Sequence, residues 1–306
     1  TLVCPVCLGL PGSLPVLNEK ALAYAVKIAL ALNCEINPFI KFDRKNYYYP
    51  DLPKGYQISQ YDFPVGRGGW VPISLKGDRK KIPIKRVHLE EDAGKLVHDP
   101  QGGCTLVDYN RTGTPLMEIV SEPDIASPQE AYEYLIALKL ILQYLDVSDC
   151  DMEKGSLRAD ANISLRKKGD GALGTKSEIK NMNSFRAVKA ALDFEADRQE
   201  RRLSAGERII QETRLWDEAQ GATQPMRSKE EAHDYRYFPE PDLVPFVVSG
   251  ETVAQIQSQL PELPPAKLER FLKGYKIPEY DAQILIQDKD LADFFENCST
   301  LYSEIK

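Results

Sequence analysis

The chain has 306 residues, 42% hydrophobic and 28% charged, which is enough for one large domain and a smaller one and excludes a disordered chain. No apolar run nears the roughly 20 residues that a bilayer requires, and no basic-apolar-cleavage pattern opens the chain. A net charge of −7, from 46 acids against 39 bases, excludes a binder that works by bulk positive charge, so any RNA contact has to be local and shape-led.

Six cysteines stand at Cys4, Cys7, Cys34, Cys104, Cys150 and Cys298. Only the first two are closely spaced, which is no disulfide framework and fits a reducing cytoplasm. The opening Thr1-Leu2-Val3 has no methionine, so a preceding segment is expected. Cys4-Pro5-Val6-Cys7 has zinc-ligand spacing but is half a tetrahedral site. Either a missing N-terminal pair completes it or it is a turn, and the two readings stand level.

A helix is expected over 18–34, with Asn18 as N-cap and Leu22, Val26, Ala29 and Leu30 on one side. Residues 39–125 read as strands and turns punctuated by glycine and proline. Within them, Lys41 to Tyr61 interleaves Arg44 and Lys45 with five tyrosines, a mixture suited to phosphates and stacked bases, though tyrosine also fills ordinary packing loops. Ser127-Pro128-Gln129-Glu130 is a capping box, and the helix after it buries Leu135, Leu138, Ile141, Leu142 and Leu145.

Strands return at 156–166 and 174–182. In the first, Leu157, Ala159, Ala161, Ile163 and Leu165 share one face, and Arg158, Asp160, Asn162, Ser164 and Arg166 share the other. A helix follows from Ser184 to Leu203, ended by Gly206, then a strand from Ile209 to Trp216. Residues 227–242 form a second basic-aromatic loop, with Arg236 suited to a bidentate anion and Arg227 and His233 beside it. With three histidines in all, a histidine metal cluster is not expected. From Thr252 onward, short amphipathic helices are separated by prolines. The fold class is α+β with a largely antiparallel sheet, and the βαβ alternation of a parallel sheet is absent.

Carboxylates recur against the strand pattern: Glu90 and Glu91, Glu118, Asp160 and Glu178. Glu118 interrupts an apolar strand, so it is expected to point into a protected space. Two charges at about 4 Å repel by about 4 kcal/mol at an effective dielectric near 20. Converging acids therefore need a divalent cation or many basic partners, and Mg²⁺ takes carboxylates together with substrate phosphates. Any one acid alone is better read as a surface ion pair; the set favours metal. Glycine-rich phosphate loops, nucleophile elbows and dinucleotide fingerprints are absent.

Taken in order, Cys4 to Gly12, the 41–61 run, His88 to Lys95, Leu116 to Asp124, Gly155 to Asp160, Glu178 to Phe185 and Asp234 to Pro241 resemble the B-subunit family of tRNA-dependent amidotransferases. The resemblance covers almost the whole chain. It implies a glutamine synthetase-like cradle over 1–248 and the start of a small all-α helical domain over 249–306. It implies a cytoplasmic ligase of protein biosynthesis: ATP phosphorylates the side-chain carboxylate of misacylated Glu-tRNA(Gln) or Asp-tRNA(Asn), and ammonia then forms the amide. The ammonia comes from an A subunit that is a glutaminase, and a small C subunit completes the heterotrimer.

The implied metal positions are Glu91 and Glu118, with Glu90, Asp160 and Glu178 nearby. Glu91 is preferred over Glu90, since neighbours on a strand face opposite ways. Arg158 joins Glu91, Glu118 and Asp160 as a catalytic candidate. Arg44, Lys45, Lys176, Lys180 and Arg236 are the ATP-phosphate candidates. Zinc at Cys4 and Cys7 is implied only if an upstream pair is present. The family's N-terminal Gly-Leu-Glu-x-His segment and its C-terminal tail are not in this sequence, so weaker metal and tRNA binding is expected. The competing readings are an RNA-binding scaffold, which would hold tRNA without nucleotide binding, and a free-standing ligase, which would turn over ATP with free glutamate or aspartate.

Overall fold

The computed structural model of the protein describes residues 2–75, 77–99, 102–226 and 235–302. Arg227 and His233 of the second basic-aromatic loop lie outside them. The chain divides into two compact units that interleave along the sequence. Unit 1 takes Thr1–Val71, Pro83–Pro123 and His233–Pro261; unit 2 takes Pro72–Ile82, Asp124–Ala232 and Glu262–Lys306. Seven α-helices and mainly antiparallel sheets make up the described residues, a mixed α and β fold.

In unit 1, α1 (Glu19–Ala31) begins at Asn18, whose side chain accepts from the Ala21 amide at 3.0 Å. This satisfies one of the donors that the first helical turn leaves open. The helix buries Ala25, Val26, Ile28 and Ala29. It packs where the sheet offers no side chain, because a Cβ on Gly66 would stand 2.9 Å from the Cβ of Ala29. Gly69, at φ +92°, is more constrained: a Cβ there would meet the Leu32 carbonyl oxygen at 2.5 Å.

The main sheet of unit 1 runs in the order Glu35–Ile36, Gly66–Arg67, Asp78–Glu91, Pro115–Ser121, with Trp70–Leu75 also paired to Asp78–Glu91. Pro115–Ser121 is thus an edge strand. A second, three-stranded sheet joins Phe238–Pro239, Asp43–Asn46 and Tyr56–Ser59. Helix α4 (Gly250–Ser258) packs on α1 in this unit.

In unit 2, α2 (Pro128–Tyr144) starts as the capping box specifies. Ser127 Oγ accepts from the Glu130 amide at 3.1 Å, while Glu130 accepts from the Ala126 amide at 2.8 Å. Helix α3 (Phe185–Ser204), capped by Ser184, packs beside α2 and over a four-stranded sheet. The sheet order is Ala161–Ile163, Ser177–Lys180, Glu212–Asp217, Ala222–Pro225.

Here one expectation is corrected. Ser177–Lys180 and Glu212–Asp217 pair in parallel, joined through α3, so one βαβ unit is present among the described residues after all. Parallel neighbours need a long crossover, and the 20-residue helix α3 provides it. The alternating segment 156–166 keeps its two faces in burial: Leu157, Ala159, Ala161 and Ile163 are half-buried, while Arg158, Asp160 and Asn162 are exposed. Only Ala161–Ile163 is hydrogen-bonded as strand.

Between α3 and this sheet, buried Ile179, Val188, Ala191, Leu192 and Trp216 are accompanied by a buried polar network. Glu195, fully buried, accepts from Arg198 at 2.6 and 2.8 Å, from Gln199 at 2.9 Å and from Thr223 at 3.1 Å. Burial works against its charge, yet Arg198, Gln199 and Thr223 outweigh it and hold the carboxyl below the usual range. Helices α5 (Pro264–Arg270), α6 (Glu279–Ile286) and α7 (Lys289–Leu301) close around Phe271, Ala282, Ile286 and Ala292.

Candidate active site

The charged centre of unit 1 follows from strand parity and register. Residues two apart on a strand share a face, so Arg86, His88 and Glu90 project together from Asp78–Glu91 and Glu91 projects the other way. The antiparallel register sets Glu118 directly opposite His88. His88 Nε2 stands 3.5 Å from Glu118 Oε2 and 3.7 Å from Glu90 Oε2. One ligand atom from each of the three residues lies within 4.8 Å of the others, a spacing that one cation could span.

Two of the three members are buried, His88 at 2% and Glu90 at 7% exposure. Ser59 Oγ donates to Glu90 at 3.0 Å, and Lys45 Nζ stands 3.5 Å from the same oxygen. Burial pushes the Glu90 carboxyl up, but His88, Lys45 and Ser59 together prevail and keep it below the ordinary value. Glu118 is not enclosed as expected: its side chain is 43% exposed, because Pro115–Ser121 is the sheet's edge and has no further strand beside it.

The structure sets Glu91 apart from this group. Its carboxylate accepts from Lys54 Nζ at 2.5 Å and from the Ile58 amide at 3.0 Å. Arg44 is committed elsewhere too. It makes a bidentate pair with buried Glu240 at 2.8 and 2.9 Å, reaches Asp242 at 3.1 Å, and lies over the Tyr56 ring. Its fork is thereby occupied by carboxylates and is not presented to a phosphate. The Arg236 backbone, at φ +43°, receives the Asn46 side-chain amide at 2.8 Å, and its side chain is exposed.

Unit 2 gathers the remaining candidates around Lys180. Its ammonium stands 3.1 Å from Asp160 and 3.4 Å from Glu178, and Thr213 Oγ1 donates to Glu178 at 2.8 Å. Burial lowers the Lys180 pKa, but the two carboxylates more than offset it, so the ammonium is held above its ordinary value. Lys176 and Arg158 are exposed in the segments that lead into the strands Ser177–Lys180 and Ala161–Ile163.

Near the N-terminus, the Cys4 and Cys7 sulfurs are 3.3 Å apart. A backbone hydrogen bond at Cys7 lowers the Cys4 pKa, while burial, Cys4 and Glu91 push Cys7 up to about 12. Among the described residues no third ligand joins the pair.

Comparison with known proteins identifies the lineage. The family profile described as the GatB/GatE catalytic domain matches residues 1–254. The chain belongs to that family. Over its full length it is 60% identical to the B subunit of the aspartyl/glutamyl-tRNA(Asn/Gln) amidotransferase of Caldanaerobacter subterraneus subsp. tengcongensis, covering 64% of that protein. A protein of the same name from Thermodesulfovibrio yellowstonii is 60% identical over 301 residues, 98% of this chain and 63% of that one. The one from Caldicellulosiruptor saccharolyticus is 54% identical over 303 residues, 99% of this chain and 63% of that one. The chain therefore spans just under two thirds of the relatives it matches.

Within this GatB/GatE domain, sequence reasoning missed His88, Lys54 and Ser59. For His88 the signal was present, since it sits two residues before Glu90 on one strand. For Lys54 and Ser59 only the tertiary fold brings the partner carboxylates within reach.

Proposed function

We propose that this chain is the catalytic part of the B component of a tRNA-dependent amidotransferase, a cytoplasmic glutamine-hydrolysing ligase that converts misacylated Glu-tRNA(Gln) or Asp-tRNA(Asn) to the cognate amide. The observation that carries it is the His88–Glu90–Glu118 group in a chain of the GatB/GatE catalytic family. In the first step an oxygen of the aminoacyl side-chain carboxylate attacks the γ-phosphorus of ATP. The bond to the bridging oxygen breaks and ADP leaves. In the second, ammonia adds to the acyl carbon, the carbon–oxygen bond to phosphate breaks, and phosphate departs with one ammonia proton taken up by the medium. The ammonia is supplied by a glutaminase A subunit, with a C subunit completing the assembly.

The residues present fit a divalent cation. Two carboxylates supply the oxygens that Mg²⁺ prefers, and the half-exposed Glu118 leaves an open side for water and substrate oxygens. When bound, such an ion neutralises charge on the triphosphate and the incoming carboxylate. The chain's own part is to hold that geometry. Ser59 and Lys45 fix Glu90 as a carboxylate, and the strand pairing fixes Glu118 against His88. Within unit 2 taken by itself, Lys176, Lys180 and Arg158 are the candidates to hold a phosphate group, with Asp160 and Glu178 orienting Lys180.

The test is Glu118→Ala in the assembled full-length enzyme. ATP turnover that depends on misacylated tRNA should fall at least 100-fold while the subunits still assemble. Undiminished amidation by this variant would remove the basis of the reading.

A further inference from the structure

The face that carries His88 and Glu90 also carries a pair of cations that the ligand group does not use. The register of the main sheet sets Arg67 directly opposite Arg86, and directly paired residues of antiparallel strands point to the same side with Cβ atoms about 4.5–5.5 Å apart. Like charges in that position destabilise a sheet. Neither guanidinium has a described carboxylate partner to relieve this. Arg67 donates only to the Asp62 backbone carbonyl, and Arg86 Nε is buried with no hydrogen-bond partner among the described residues.

A buried N–H left without an acceptor works against folding. The two nearby acids do not discharge that cost, because Glu90 faces Ser59, Lys45 and His88, and Glu118 faces His88. Tyr237, stacked on Tyr61 with ring centroids 4.5 Å apart, feels the charges of Glu90, Arg86 and Glu118 and forms a half-buried wall beside them. Along one strand face, then, two paired cations adjoin a group that could hold a metal.

We propose that Arg67 and Arg86 form a clamp for an anionic group of the substrate, held next to His88, Glu90 and Glu118. Under the transamidase reading on which this rests, the anion is a phosphate of the nucleotide or the side-chain carboxylate of the aminoacyl group. The two present the same oxygen chemistry to a guanidinium fork.

The test uses the full-length protein in its complete assembly, with Arg86→Met, Arg86→Lys and Arg67→Met. A KM for ATP raised at least tenfold, with loss of the thermal shift given by inorganic tripolyphosphate, assigns a phosphate. A KM for misacylated tRNA raised at least tenfold, with ATP and tripolyphosphate unaffected, assigns the carboxylate. Arg86→Lys keeps the charge but loses the fork, so it should retain only part of the affinity. If Arg86→Met fails to fold, the exposed Arg67→Met and the conservative Arg86→Lys decide. Both KM values within twofold of wild type in the folded variants overturn the clamp. Should wild-type assembly show no tRNA-dependent ATP turnover while tripolyphosphate still binds through these arginines, the reaction falls and the clamp stands. Tripolyphosphate binding that ignores the arginines, in such an inactive assembly, overturns the clamp as well.

Discussion

Replacing Glu195 by glutamine should destabilise unit 2 far more than an isosteric change suggests. Arg198 donates to both carboxylate oxygens, at 2.6 Å to Oε1 and 2.8 Å to Oε2. Whichever way the new amide turns, its NH₂ therefore faces a guanidinium N–H. The change also removes the buried counter-charge of Arg198 and of Arg214, whose Nε lies 3.3 Å from Oε2, and leaves both arginines to the part-exposed Glu212 at 3.4 and 2.6 Å. Removing one partner of a buried ion pair costs about 3–5 kcal/mol. At about 2–4 °C per kcal/mol for a unit of this size, the melting temperature should drop by roughly 6–20 °C.

Trp216, buried on the strand beside α3, reports the transition alone once Trp70→Phe removes the only other indole. Exposed Glu200→Gln on the same helix is the control and should change stability by no more than about 0.5 kcal/mol. The pH dependence has a definite sign. The folded Glu195 pKa is depressed, so its contribution is present above the unfolded value near 4.3 and is lost as pH falls through the folded value. The gap between parent and Glu195→Gln should accordingly close in acid. A variant melting within about 2 °C of its parent at pH 7 would show that the network contributes little and that this reasoning is mistaken.

Glu90→Gln and His88→Ala should each weaken Mn²⁺ binding at least tenfold by titration calorimetry, whereas Glu91→Gln should leave it nearly unchanged; equal losses for all three would contradict the strand parity. Gly69→Ala should cost more than about 1 kcal/mol in chemical denaturation, since φ is positive and a Cβ meets backbone; a neutral result would mean that the loop repacks freely. Mass spectrometry after brief alkylation at neutral pH should find Cys4 modified well before Cys7, because Cys4 is exposed with a lowered pKa and Cys7 is buried and pushed up to about 12. Equal labelling would refute that asymmetry.

What the sequence disclosed was mostly local. Asn18, Ser127 and Ser184 each announced a helix, and each is the N-cap with its side chain on the expected amide. Two-residue periodicity placed Leu157 to Ile163 on the correct faces, although the paired strand is only three residues long. Long-range pairing was not readable. Arg44 looked available for phosphate because Glu240 and Asp242 are almost 200 residues away in the chain. Parity showed that Glu90 and Glu91 must part, but only the register with Pro115–Ser121 shows which of them turns toward Glu118. The parallel pairing escaped because α3 read simply as a helix between two strands, with nothing in its pattern to say on which side the chain would return.

The opposed directions of Glu90 and Glu91 make the strand that bears them intolerant of length change. Dropping or adding one residue between the Gly66–Arg67 pairing and the end of Asp78–Glu91 would trade the two acids' places. Lys54 would lose its anion, His88 would swing to the wrong side, and chemistry and packing would fail together. Substitutions can drift along this stretch, whereas a codon gained or lost there is lethal to the site in a single event.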